Sequence, residues 1–91
     1  MNVAEIQAAT RGKPFWVVRS HLNGGYTAIP ASIGTDIPEP VITDPSYPSP
    51  WAALESIAHA NRDKVFMIHA ECEGAWLIGD LNDIAEGKHR A

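Results

Sequence analysis

The residues best suited to chemistry in this 91-residue chain are two histidines and the single cysteine, His59, His69 and Cys72. Imidazole nitrogen and thiolate sulfur bind zinc at about 2.0–2.3 Å. His69 and Cys72 are three positions apart, however, and a strand points residues at odd spacing to opposite faces. No C-x-x-C or H-x-x-x-H pair occurs. We therefore expect no metal and no cofactor, and an inert buried thiol beside ordinary surface histidines.

The same residues raise the alternative of a small enzyme. His69 and Glu71 alternate onto one face of a predicted strand, and Cys72 with His59 would form a nucleophile and its base. Four histidines in a short chain produce such pairs by chance, and no Gly-x-Ser-x-Gly elbow, phosphate loop or dinucleotide fingerprint occurs. A small two-layer domain also has little room for a pocket of about 300 Å³. We expect no catalytic residues, and the alternative is a small enzyme or metal-binding protein that uses His59, His69 and Cys72.

Negative charge is concentrated in the middle of the chain. Seven Lys and Arg stand against eleven Asp and Glu, which gives a formal net charge of −4. Between Arg19 and Arg62 there is no Lys or Arg, and the four acidic residues of that interval account for the whole excess. These four are Asp36, Glu39, Asp44 and Glu55. Because an acidic surface repels phosphate, we expect no direct nucleic-acid binding and a partner protein with a basic surface.

Most of this charge lies in a proline-rich segment, residues 32–51. Five of its twenty residues are proline, which favours extended conformations and lowers the entropy lost on docking. Loops longer than about 12–15 residues in compact domains are usually functional or disordered. We expect an acidic, semi-rigid recognition arm, and the alternative is a structural strap between the sheet edge and the next helix. The predicted partner-binding residues are Asp36, Ile37, Glu39, Ile42, Asp44 and Tyr47.

The first half of the chain predicts a helix and a hairpin. A capping-box spacing at the start predicts a short helix that ends before Gly12. Residues 15–21 are rich in aromatic and β-branched side chains and predict a strand. Asn23-Gly24 is a strong hairpin signal, because both residues accept a positive φ. The returning strand, residues 26–30, ends at a proline that has no N–H for a ladder.

The second half predicts a helix, a second hairpin and a short final helix. Ser49 as N-cap and Pro50 at the first helical position predict a helix that ends near residue 61. Residues 65–73 and 75–79 alternate in the manner of strands and are separated by a turn at Glu73–Gly74. Asp80 then caps a helix over residues 81–86, and a frayed tail follows from residue 88.

Together these elements predict one small α+β domain over residues 1–91. The order α-ββ-α-ββ-α predicts a two-layer arrangement, in which two hairpins form a four-stranded antiparallel sheet with helices on one face. The long Pro-rich loop lies between strand 2 and the central helix. A sheet with an open edge also indicates a possible homodimer, for which residues 15–21 or 75–79 would supply the pairing strand.

Function follows from charge and from the lack of motifs. We expect a non-catalytic protein-binding module, which docks on a basic partner through the acidic loop and the exposed face of the sheet. In size, acidity and lack of catalytic motifs the chain resembles phage- or mobile-element-encoded inhibitors, anti-CRISPR proteins among them. That resemblance implies an inhibitor that blocks a basic nucleic-acid-binding surface. A single cysteine and the lack of a signal-peptide or membrane-spanning run predict a cytoplasmic protein that does not bind membranes.

Overall fold

The structure, a computed structural model, describes residues 5, 8, 10–11, 14–31, 37–74 and 76–89. These residues form a mixed α+β fold with a four-stranded sheet and three α-helices. The strands are β1 (Phe15–Ser20), β2 (Tyr26–Ala31), β3 (Val65–Ile68) and β4 (Leu77–Asp80). The helices are α1 (Pro50–Ala58), which a 3-10 turn (His59–Asn61) extends, α2 (Ala70–Glu73) and α3 (Leu81–Ala85). Of the predicted N-terminal helix, Glu5, Ala8 and Thr10 are helical, and the rest lies outside the described residues.

The sheet is mixed, so the prediction of a purely antiparallel sheet is wrong. Its strand order is β2-β1-β3-β4. The pairs β1–β2 and β3–β4 are antiparallel, whereas β1 and β3 run parallel in the centre, with Phe15 opposite Val65 and Val18 opposite Ile68. Both central strands are short apolar runs that bury side chains on both faces, which is the pattern of parallel strands.

The second hairpin contains a helical turn that the sequence did not predict. The expected strand over residues 65–73 ends at Ile68, and α2 follows. His69 caps α2, because its Nδ1 accepts the backbone N–H of Glu71 at 3.0 Å. Gly74, at φ 78°, ends α2 and donates its N–H to the carbonyl of Ala70. Local capping therefore overrides the alternating pattern of these residues.

The β1–β2 turn differs from the expected one by a single position. Positive φ angles occur at Gly24 and Gly25, and not at Asn23. Gly25 is also a point of close approach, since a Cβ there would lie 2.6 Å from the Tyr47 carbonyl oxygen and would collide with Ser46. The turn therefore needs glycine both for its backbone conformation and for contact with the proline-rich segment.

The main core lies between the sheet and two helices. Helix α1 begins as predicted, because Ser49 Oγ accepts the Ala52 N–H at 3.1 Å and Pro50 occupies the first turn. Its residues Ala53 and Leu54 are fully buried. The buried members of this cluster are Val18, Ala53, Leu54, Ala58, Phe66, Ile68, Leu81 and Ile84. Helices α1 and α3 thus cover one face of the sheet.

The opposite face of the sheet is also covered at its centre. Phe15, Val17 and Met67 form a second buried cluster, in which Val17 and Met67 have no exposed area. Ile37 of the proline-rich segment and Trp76 pack against them. The prediction that an exposed sheet face takes part in docking is therefore wrong for the central strands.

Truncation of Met67 measures how well this second cluster is packed. We expect Met67→Ala to lower the free energy of unfolding by about 2–5 kcal/mol, because it leaves a cavity in a site without solvent access. Urea denaturation gives the value, and Ile42→Ala at an exposed position is the control, with a change within about 0.5 kcal/mol. Equal, small losses in both variants would show that the second face is poorly packed.

Candidate functional site

The proline-rich segment is held against strand β2 by main-chain hydrogen bonds. Tyr26 and Tyr47 form an antiparallel bridge, in which each N–H donates to the other's carbonyl at 2.9 and 2.8 Å. The hydroxyl of Ser46 donates to the carbonyl of Gly24 at 2.7 Å. The segment therefore continues the sheet at one corner, beside the β1–β2 turn.

A buried histidine joins the same turn to the segment. His21 is 7% exposed, and its Nδ1 accepts the Asn23 N–H at 3.0 Å. Since that nitrogen is an acceptor, Nε2 is the donor to the Asp44 carbonyl, at 2.9 Å. Both ring nitrogens are used, so His21 is a structural link rather than a catalytic base.

Arg19 fixes the beginning of the described part of the segment. Its Nη1 donates to the Pro38 carbonyl at 3.0 Å, while Nε and Nη2 donate to the Glu71 carboxylate at 3.0 and 3.4 Å. Oε1 of Glu71 also accepts the Ser20 N–H at 3.1 Å. Because β3 ends before it reaches Ser20, this carboxylate replaces the missing strand partner.

This cluster shifts three pKa values. The hydrogen bond between Arg19 and Glu71 lowers the pKa of the carboxyl and raises the pKa of the guanidinium. Burial lowers the pKa of His69, and the charge of Arg19 lowers it further. His69 also contacts the ring of Trp76, with centroids 4.5 Å apart. The carboxylate and the neutral imidazole are thus the favoured forms in this corner of the fold.

Two of the predicted partner-binding residues are used for internal packing. Ile37 packs against the second cluster and Tyr47 against the main core, and both are half-buried. Asp36 lies outside the described residues. Glu39 is exposed, and Ile42 is 65% exposed. Of the apolar anchors expected from the sequence, Ile42 is therefore the one available to a partner.

A tight turn presents Ile42 together with Val41. Oδ2 of Asp44 accepts the Val41 N–H at 2.9 Å, and the Asp44 N–H donates to the Val41 carbonyl at 2.9 Å. Val41 is 55% exposed, and Leu22 in the neighbouring β1–β2 turn is 68% exposed. The sequence analysis missed Val41 and Leu22, although a large apolar residue beside a turn signal is a recognisable pattern.

We name this surface the apolar–acidic patch, formed by Leu22, Glu39, Val41, Ile42 and Asp44. Its two turns are tied together by the bonds from His21 to Asp44 and from Ser46 to Gly24. Large apolar side chains that are exposed together and rimmed by charge are typical of protein interaction sites. The patch lies beside β2, at one edge of the sheet.

The carboxylates of the patch keep their charge available to a partner. Among the described residues, no Lys or Arg lies within 4.0 Å of the carboxylates of Glu39 or Asp44. The charge of Arg19 reaches Glu39, but its hydrogen bonds go to Glu71 and Pro38. The Asp44 carboxylate accepts a backbone N–H, which leaves its negative charge in place.

The residues proposed for metal or acid–base chemistry are distributed between two places. His59 follows α1, where Nδ1 lies 3.2 Å from Nη2 of Arg62, whereas His69 and Cys72 belong to the α2 turn at the other end of β3. Within the described part of the chain, no three His, Cys, Asp or Glu residues are grouped to hold a metal ion. His69 and Glu71 do not share a strand face as expected, since His69 caps the helix that contains Glu71.

The predicted frayed tail is docked as far as His89. Its side chain is 8% exposed, Nε2 lies 2.9 Å from Oε1 of Glu55, and the ring stacks on Trp51 with centroids 5.7 Å apart. Glu55, His59 and His89 line a cavity of about 330 Å³. The prediction that so small a domain has little room for a pocket of about 300 Å³ is therefore wrong.

Comparison with protein-family models, with curated proteins and with solved structures finds no match to the chain. No helix among the described residues is long and apolar enough to cross a membrane.

The Glu71 cluster predicts a specific response to acid. Because the folded-state pKa of Glu71 lies below its ordinary value of 4.5, its stabilising contribution is complete above about pH 4.5 and is lost as the pH falls through the folded-state pKa. Glu71→Gln retains an acceptor for the Ser20 N–H but does not titrate. We expect wild type to melt at a higher temperature than the variant at pH 7, and the difference to shrink as the pH falls below about 4.5. A difference in melting temperature that is independent of pH would contradict this role of the ion pair.

Proposed function

We propose that this protein is a non-catalytic binding module that docks on a basic surface of a partner protein through the apolar–acidic patch. The observation that carries the proposal is the turn at Val41 and Ile42, which exposes two large apolar side chains beside Glu39 and Asp44. Folding gains nothing from such exposure, whereas burial of one such side chain against a partner contributes about 1.5–3 kcal/mol.

The patch is suited to docking because its backbone is fixed before a partner arrives. The side chains of Arg19 and His21 bond to carbonyls of the segment, and the side chain of Ser46 in the segment bonds to the β1–β2 turn. The Tyr26–Tyr47 bridge adds two main-chain hydrogen bonds. A preorganised loop loses less conformational entropy on binding than a flexible one. The two hypotheses drawn from the sequence are therefore compatible, since one segment serves both as a strap and as a recognition surface.

Charge supplies the selectivity for a basic partner. The whole net charge of −4 lies between Arg19 and Arg62, and the patch belongs to that interval. Its field would accelerate association with a positively charged surface, and added salt would weaken the effect. Charge at the rim of an interface acts mainly on partner choice and association rate, while the buried apolar anchors set the residence time.

The finer form of the proposal is an inhibitor of a nucleic-acid-binding protein. A surface that binds phosphate is rich in Lys and Arg, and carboxylates on a rigid loop would compete with phosphate for those side chains. Size, acidity and the resemblance to phage- or mobile-element-encoded inhibitors support this form. The single cysteine fits a cytoplasmic site of action.

Charge-matched variants test the proposal. The patch variant carries Glu39→Gln and Asp44→Asn in the patch together with Asp36→Asn earlier in the same segment, which changes the net charge from −4 to −1. The amide introduced by Asp44→Asn keeps an acceptor for the Val41 N–H. The control carries Asp63→Asn, Asp83→Asn and Glu86→Gln, which make the same change of +3 in the last third of the sequence. Immobilised wild type and both variants are used to capture proteins from a cytoplasmic extract. Quantitative mass spectrometry identifies the captured partner, and calorimetric titration measures its affinity for each of the three proteins.

We expect a basic partner that the patch variant binds at least about tenfold more weakly, a loss of about 1.4 kcal/mol, and that the control binds nearly as well as wild type. The affinity of wild type should fall with salt, and that of the patch variant should fall less. A partner that binds all three proteins equally would refute the assignment of the patch. A partner released by wild type when nucleic acid is added would support the finer form.

A further inference from the structure

The two edges of the sheet differ in how far they are protected from pairing with another strand. On β2, Tyr26 is paired with Tyr47 of the proline-rich segment, and Pro30 has no N–H to offer. On β4, the other edge, no described segment pairs with the outer side of the strand. The prediction that residues 15–21 could supply a pairing edge is wrong, because β1 is central. Within the part of the chain that the structure describes, β4 is therefore the edge open to another strand.

The alternation of hydrogen bonds along the β3–β4 ladder shows which β4 residues direct their backbone N–H and C=O groups away from the sheet. The Leu81 N–H donates to the Lys64 carbonyl at 2.9 Å, one position beyond the ladder that pairs Val65 with Asp80. Bonded and non-bonded pairs alternate in an antiparallel ladder, so Leu77 and Gly79 are in bonded pairs with β3. Ile78 and Asp80 therefore direct their N–H and C=O groups away from the sheet.

The side chains of β4 form a projection and a recess on the same face. Leu77 is 41% exposed and projects on the side of the helices. Two positions later, Gly79 has no side chain, and the ring of Phe66 lies so close that a Cβ at Gly79 would be 2.7 Å from Cζ. A groove of about 240 Å³ runs beside Gly79, and Trp51 and Ile84 also line it. Ile78, 37% exposed, projects on the opposite face.

We propose that two copies of this chain pair through antiparallel β4 strands and form one continuous eight-stranded sheet. In this arrangement Ile78 lies opposite Ile78 of the second copy. The backbone N–H and C=O groups of these two residues point toward each other and form a hydrogen-bonded pair. Leu77 then stands opposite Gly79 of the second copy in a non-bonded pair, where side chains approach most closely. Leu77 of each copy enters the groove beside Gly79 of the other, so the contact is reciprocal under two-fold symmetry.

The reciprocal fit of Leu77 and Gly79 favours a second copy as the occupant of this edge, and no like charges face each other there. In the proposed register Asp80 lies opposite residue 76 of the second copy, so the two Asp80 carboxylates do not face each other. The excess charge of −4 belongs to the interval between Arg19 and Arg62, and its apolar–acidic patch lies beside β2, at the other edge of the sheet. Two copies can therefore meet at β4 while both patches remain accessible, and the dimer does not depend on the docking proposal.

Light scattering over a range of concentrations tests the pairing. We expect wild type to approach twice the 9.9 kDa mass of one chain as concentration rises, and Ile78→Lys to remain at the single-chain mass. Ile42→Lys, which adds the same charge at an exposed position beside the other edge, should dimerise as wild type does. Circular dichroism checks that each variant is folded. A single-chain mass for wild type throughout, or a dimer that Ile78→Lys leaves unchanged, would overturn the proposal.

Disulfide trapping tests the register. In a bonded antiparallel pair the Cα atoms are about 5.5 Å apart, which a disulfide can span. In a Cys72→Ala background, Ile78→Cys should form a covalent dimer on mild oxidation, whereas Asp80→Cys should not, because its symmetry mate is about 14 Å away along the strands. Covalent dimers from Asp80→Cys alone would exclude this register.

Discussion

The structure depends on how the backbone N–H and C=O groups at the rim of a small sheet find partners. A buried backbone group without a hydrogen bond costs as much as a lost bond, so each place where a strand ends early needs a substitute. Strand β3 stops at Ile68, and the Glu71 carboxylate takes the N–H of Ser20 that β3 would have bound. At the β2 edge of the sheet, Tyr47 takes the N–H of Tyr26. These substitutes come from the segments that leave the sheet, and they fix the paths of those segments.

The proline-rich segment therefore has a structural role that also explains its exposed side chains. Its contribution to the sheet is made by the backbone and by Ile37 and Tyr47, which pack inward. Between these two positions the chain must turn, and the turn at Asp44 directs Val41 and Ile42 outward. Acidic side chains keep such a surface soluble and bias it toward basic partners. Inward packing and outward exposure are thus divided between different residues of one segment.

Local interactions made part of this architecture predictable from the sequence. The cap at Ser49 and the strand β1 follow from contacts within a few residues, and the structure shows both close to their expected positions. The final helix also begins after Asp80 as expected, but the Asp80 side chain makes no capping hydrogen bond. The parallel pairing of β1 with β3 depends on which distant strands meet, and no local pattern encodes it. The environments of the apolar residues in the proline-rich segment also depend on distant contacts. A proline-rich sequence does not show which of its apolar residues will meet the core, so it does not predict that Ile37 and Tyr47 pack inward while Val41 is exposed.

The central pairing of β1 with β3 has a consequence for the order in which the chain folds. It joins Phe15 to Val65, residues 50 positions apart, whereas β1 meets β2 across a short turn and β3 meets β4 across α2. Each doubling of a closed loop adds about 0.6 kcal/mol of entropic cost, and distant contacts slow folding more than they reduce stability. We expect each half of the sheet to form locally first, and the seam between the two halves to close last, once the stiffened segment has brought α1 across.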